Sequence, residues 1–165
     1  MINALISELE NESKATAGVL EVLPESKFSW QPHQKSMSAG SLARHIATIP
    51  GQMLELLSTE SFDTGDMNPQ FSSCATTEEL MSLFQSNLSQ SISTMKSWDT
   101  AFLNQEWKLT RGSETIFALP RIAAIRGFQL NHLYHHRGQL TVYLRMLEIP
   151  VPSVYGPTAD VNPFA

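Results

Sequence analysis

Read for the alternation of apolar and polar positions, the chain falls into four stretches with the three- and four-residue recurrence of amphipathic helices. The first stripe, Ile2, Leu5, Ile6, Leu9, Thr16, Val19, Leu20 and Leu23, predicts a helix from Ile2 to Leu23 that stops at Pro24. It weakens at Glu12 and Ser13, which either face something polar inside the fold or mark a slip of the pattern toward solvent, the simpler reading. Pro24 to Lys35, with Trp30, Pro32 and His33, reads as a linker because its prolines oppose helix. Ser38 or Ser41 can cap a second helix reaching Leu57, with Leu42, His45, Ile46, Ile49 and Met53 on one face and a bend expected at Pro50.

Residues 58–75 show no periodicity and read as a loop containing Met67-Asn68-Pro69. Thr76 with Glu79 fits a capping box and opens a third helix to Trp98, with Leu80, Phe84, Leu88, Ser91, Met95 and Trp98 turned inward. Glu106 to Phe117 alternates loosely around Arg111-Gly112-Ser113, as a short hairpin or an extended excursion would. A fourth helix begins near Pro120, a favoured first-turn residue, and runs to Leu147 with Ile125, Phe128, His132, His136, Gln139, Leu140, Tyr143 and Leu147 on one face. The proline-rich stretch from Ile149 to Pro157 is expected to pack as an extended strap. These elements predict an all-α fold, a four-helix bundle with a short hairpin before its last helix, and 165 residues suit one domain spanning 1–165.

Composition narrows the function classes. The charged fraction is 16%, below the usual 25% or so, and the net charge is −5 without a dense run of Lys or Arg, so nucleic acid is not an expected partner. No run of about 18 apolar residues predicts a membrane span, and Met1 to Lys14 lacks a basic segment followed by an apolar core. Cys74, the single cysteine, can form no intramolecular disulfide, which suits a reducing compartment, and the cytoplasm is the simplest assignment.

The chemistry rests on histidine. His132 and His136 are four residues apart on one helix, so their rings emerge on one face a turn apart. The same spacing occurs in metalloproteases, but Leu133 stands where their glutamate would be, which rules that reading out. His45 lies in the apolar stripe of another helix, where an imidazole needs a partner. Three rings converging in a bundle interior are most economically explained by one divalent ion. Three neutral ligands would leave the ion its full charge and an open position, where water is acidified and an anion such as a thiolate or carboxylate is attracted. Imidazole ligation admits Zn, Ni, Fe or Cu, and mixed coordination admits Mn. Gln139 is a candidate to hold the His136 ring from outside, with surface solvation the alternative. His135 should point away from the shared face. His33 reads as structural or exposed, Cys74 as a plain exposed thiol rather than a nucleophile, and Trp30 and Tyr155 either rim the site or anchor loops.

Several of these segments together resemble a known family: Trp30-Gln31-Pro32-His33, then Ser38 to His45-Ile46, then His132 to Leu140 with Tyr143-Leu144-Arg145, then Pro150-Val151-Pro152 before Tyr155-Gly156. The chain is similar over nearly its whole length to the DinB/YfiT-like superfamily, through the His-x-x-x-His-Arg-Gly-Gln run combined with an upstream histidine. The resemblance implies an antiparallel four-helix bundle, a homodimer, and a three-histidine metal site mapping to His45, His132 and His136. It further implies a small-molecule partner, either a substrate or a low-molecular-weight thiol cofactor, in S-transfer, isomerisation or metal-dependent hydrolysis. No general base can be assigned. The competing expectation is a metal-binding stress or interaction protein without turnover.

Overall fold

Four long amphipathic stretches become helical in the computed structural model, which describes residues 2–66 and 72–165. Helix α1 (Ile2–Glu21) buries Leu5, Ile6, Leu9, Val19 and Leu20. Helix α2 (Ala39–Leu57) starts at Ser38, whose Oγ accepts from the Ser41 amide at 3.2 Å. Its first amides donate outward, Ala39 to the Trp30 carbonyl and Gly40 to that of Phe28, which pins the preceding linker to the helix start. A Cβ on Gly40 would lie 2.7 Å from that of Phe28, so only glycine fits there. Helix α3 (Thr77–Lys96) opens with the expected cap: Thr76 Oγ1 accepts from the Glu79 amide at 3.1 Å. The reciprocal half is displaced by one residue, the Glu79 carboxylate accepting from Ala75 at 2.7 Å. Helix α1 packs against α3, and α2 against α3.

The expected all-α character is corrected. A short helix α4 (Thr100–Asn104), capped by Asp99, leads into a hairpin of β2 (Glu106–Arg111) and β3 (Glu114–Pro120), and β1 (Ser61–Asp63) pairs with β2 in parallel, giving the order β1-β2-β3. The hairpin turns at Gly112, whose φ of +56° suits glycine. Strand β1 lies in the segment read as a loop; its three residues are too few to show alternation. Met67-Asn68-Pro69 of that loop lies outside the described residues.

The last helical rod has three parts: α5 (Arg121–Ala124), a wide π-helical turn (Ile125–Asn131) and α6 (His132–Met146). A single α-helix from Pro120 was expected; Pro120 is instead the residue before the helix, and the π turn interrupts the regular repeat. Helix α6 packs against both α2 and α1. It ends in a Schellman motif, with the Ile149 amide bonded to the Leu144 carbonyl and that of Glu148 to Arg145, just before Pro150. The strap beyond it is extended, tied back by Asp160 to Arg145 and to the Val151 amide.

Two buried arginines organise the interior. Arg137, on α6 and 2% exposed, pairs with Glu12 of α1 at 2.6 Å and donates to the Glu12 carbonyl and to Thr16 Oγ1. It also donates to the Tyr155 hydroxyl of the strap, which in turn donates to the Glu12 carboxylate. The weak point in the α1 stripe is therefore a polar seam facing α6, not a slip toward solvent. Ser13, its neighbour, is buried as well, with its hydroxyl donating to the Leu9 carbonyl.

Arg121, also 2% exposed, closes the C-terminal end of α2. Its Nε donates to the Leu57 carbonyl at 2.9 Å and its Nη2 to Thr59 at 2.8 Å, while the guanidinium lies 4.0 Å from the centre of the Phe102 ring. Trp107 Nε1 donates to Leu56, and Ser58 Oγ to Leu54. The Leu54 and Leu56 carbonyls also accept the amides of Ser58 and Thr59, whereas the Leu57 carbonyl that ends α2 and the Thr59 carbonyl just beyond it take the guanidinium. Arg121→Met keeps the bulk and strands the Leu57 and Thr59 carbonyls. A loss of roughly 2–4 kcal/mol in urea unfolding is expected, and a loss below about 0.5 kcal/mol would show that the guanidinium is not what satisfies them.

Candidate metal centre

The three histidines meet. His45 comes from α2 just past its capped first turn, and His132 and His136 from the first two turns of α6, all three half-buried. Their ring centres lie 5.0 Å apart for His45 and His132, 4.5 Å for His45 and His136, and 4.7 Å for His132 and His136. One donor nitrogen from each falls within 4.8 Å of the others, so the group could hold a metal ion. The Nε2 atoms of His45 and His132 are 3.2 Å apart, close to the roughly 3.4 Å that two nitrogens span on a tetrahedral ion with bonds near 2.1 Å.

The outer ring nitrogens decide where the lone pairs point. His136 Nδ1 lies 3.0 Å from Gln139 Oε1 and donates to it, which leaves Nε2 unprotonated. Gln139 is thus the ring-holding residue that its spacing suggested. His132 turns its Nε2 toward that of His45. The donor set fits a divalent ion that accepts imidazole, and Gln139 holds the His136 ring with its Nε2 free to ligate.

The remaining candidates stand apart. His135 is exposed and meets only the edge of the His136 ring, as its place on the helix required. His33 is exposed too, its Nδ1 accepting from the Lys35 amide within its own turn. Cys74 is not exposed as expected: it is packed into the core, where burial and the charge of Glu79 push its thiol upward, away from the reactive thiolate. Trp30 anchors its linker edge-on against Tyr143 at 5.4 Å, and the Tyr155 hydroxyl belongs to the Arg137 seam. Arg137 had a legible signal: it lies four residues after Leu133 and three before Leu140, both fully buried.

Burial, then the nearby His136 and His132, lowers His45 from the ordinary 6.5 to about 4. Burial also lowers His132 and His136, though the Gln139 bond partly opposes it at the latter. The unfolded chain therefore binds more protons than the folded one below about pH 6.5, so stability falls as the solution is acidified toward 4. In metal-free protein the urea midpoint should drop between about pH 7 and pH 4.5, and drop less in His45→Phe. Equal slopes in parent and variant would show that His45 does not carry the effect.

The family model for the DinB family matches residues 1–161. No curated protein matches the chain. Among solved structures, a DinB-like protein from Bacillus cereus ATCC 10987 is 19% identical with a TM-score of 0.71, covering 90% of this chain and 94% of that one. A DinB-like protein from Bacillus subtilis, YjoA, is also 19% identical with a TM-score of 0.71, covering 92% of this chain and 97% of the other. The structural likeness shows a shared fold, and the sequence match over nearly the full length makes this chain a member of the DinB family.

Proposed function

We propose that this DinB-family chain is a metal-dependent enzyme in which His45, His132 and His136 hold one divalent ion, of the thiol-dependent S-transferase or hydrolase type. The observation that carries the reading is the convergence of three imidazoles whose ligand atoms lie within 4.8 Å of one another. Helices α1, α2, α3 and the α5–α6 rod are read as an antiparallel four-helix bundle forming one domain over 1–165. The ion would supply a Lewis-acid centre that lowers the pKa of water or of a small thiol bound in its open position. Gln139 keeps the His136 ring oriented while His45 approaches from α2.

A second reading, an ion with a purely structural or storage role, would be favoured by rings sealed from solvent. All three are half-buried instead, so none is sealed from solvent. Among the described residues no helix is long and apolar enough to cross a membrane. A cytoplasmic homodimer that binds a small-molecule substrate or thiol, and not nucleic acid, completes the proposal.

Elemental analysis of tag-free protein should find close to one metal per chain in the parent and severe loss in His45→Ala and His136→Ala. Gln139→Leu should retain the fold and bind the metal about 10–100-fold more weakly. Across panels of thiol-transfer and hydrolysis substrates, only metal-loaded protein should turn over. Equal background rates with and without metal would reject the enzyme and leave the storage reading.

A further inference from the structure

We infer that Gln129 is a positioning residue for the metal centre: its carboxamide ties the rod that carries His132 and His136 to the backbone of α2, and so sets the height at which His45 meets them. The inference rests on the metal-site reading above and extends it to a side chain outside the ligand set.

Gln129 lies in the π turn, three residues before His132, and is fully buried. Its Nε2 donates to the Pro50 carbonyl of α2 at 2.9 Å and to Ser91 Oγ of α3 at 2.7 Å. Pro50 comes five residues after His45 on α2. One hydrogen bond therefore closes a short circuit that runs along α2 from His45 to Pro50, across to Gln129, along the rod to His132, and back across the 3.2 Å between the two Nε2 atoms. Sliding either helix by one residue would move its end of the tether about 1.5 Å, more than an N–H···O bond tolerates. The tether and the site share one register.

The α2 side of the tether is confined as well. A Cβ on Gly51 would lie 2.1 Å from Asn87 Oδ1, so the α2 backbone rests directly against the Asn87 side chain of α3. Ser91, a turn further along α3, is fully buried and takes the second bond from Gln129. Gln129 thus joins three helices at the place where α2 has no room to shift toward α3.

Stability alone is a poor account of a carboxamide there. Among the described residues no donor reaches Gln129 Oε1, and a buried oxygen without a partner costs free energy that a methionine of similar length would not. What the amide supplies and methionine lacks is a pair of directed donors, which single out one arrangement of the rod against α2.

The test compares the parent with Gln129→Met, which keeps the length and removes both donors, and with Gln129→Asn, which keeps the carboxamide but shortens its reach. Ser91→Ala, which cuts only the α3 arm, and Ile6→Ala, a core truncation on α1, serve as controls. Nuclear Overhauser contacts between the His45 and His132 rings, whose centres are 5.0 Å apart, read the register in metal-free protein, and Co(II) titration reads the site. Both Gln129 variants should lose the ring contacts and bind Co(II) about tenfold or more weakly, with an altered visible spectrum. Ser91→Ala and Ile6→Ala should keep the contacts and bind Co(II) as the parent does, whatever they lose in urea midpoint. The inference is overturned if a folded Gln129 variant keeps the ring contacts and Co(II) affinity of the parent, if Ile6→Ala loses them equally, or if neither Gln129 variant folds, which would make the residue a stability element only. A parent that shows the ring contacts, loses them in Gln129→Met and yet binds no Co(II) would reject the metal reading and leave the hold of Gln129 on the register standing.

Discussion

Everything proposed for the site depends on the register between α2 and α6. Imidazole is a short side chain, and sliding one helix by a single residue moves a ring by about 1.5 Å along the axis and 100° around it, enough to part three nitrogens now within 4.8 Å. The register is held on several levels. Gln129 ties the π turn to the Pro50 carbonyl below the site, and the Tyr143 hydroxyl ties α6 to Met37, just before the start of α2. Arg137 locks the same helix to Glu12 and Thr16 of α1. Pro50, which was expected to bend α2, leaves the helix continuous over Ala39–Leu57 and offers its carbonyl as a tether.

The two buried arginines solve different problems with one chemistry. A guanidinium out of water must place its donors or it costs several kcal/mol. Arg121 places them on carbonyls at the end of α2, where helix geometry leaves acceptors unpaired and the dipole favours a cation. Arg137 places them on a carboxylate, a carbonyl and two hydroxyls, joining α1, α6 and the strap. One arginine ends a helix and the other aligns two, and neither touches the histidine nitrogens.

The long helices and the histidine trio were legible because both obey periodicity. A stripe repeating every three or four residues marks a face, and His132 and His136 share that face by arithmetic alone. The caps at Ser38 and Thr76 were readable for a similar reason, since side-chain oxygens at a helix start serve amides of the same turn. What escaped was non-local or too short to repeat. Strand β1 exists because Ser61 to Asp63 lie beside Lys108 to Thr110, forty-odd positions on, and its three residues carry no pattern of their own. The π turn hides because one extra residue shifts a stripe without abolishing it, so Phe128 and His132 still read as one face. Glu12 looked like a break because its partner, Arg137, lies on a helix that only the tertiary fold brings near.

The charges around the cluster bear on what an ion held there would attract. The group of metal-capable side chains contains histidines alone, with no carboxylate among the described residues that form it. The acidic residues that α1 turns toward α6 are already committed, Glu8 to Arg126 and Tyr134 and Glu12 to Arg137 and Tyr155. Arg126 and Tyr134 together draw Glu8 below the usual carboxylate range, which keeps it ionised and paired. A dication on three neutral rings would thus keep nearly all its charge in a half-buried setting, where an unbalanced charge is costly. An anion taken from solution, whether hydroxide or a thiolate, offsets that cost most directly. On the proposed reading, the absence of an acidic ligand from the cluster selects for anionic partners and for nucleophiles that become anions on binding.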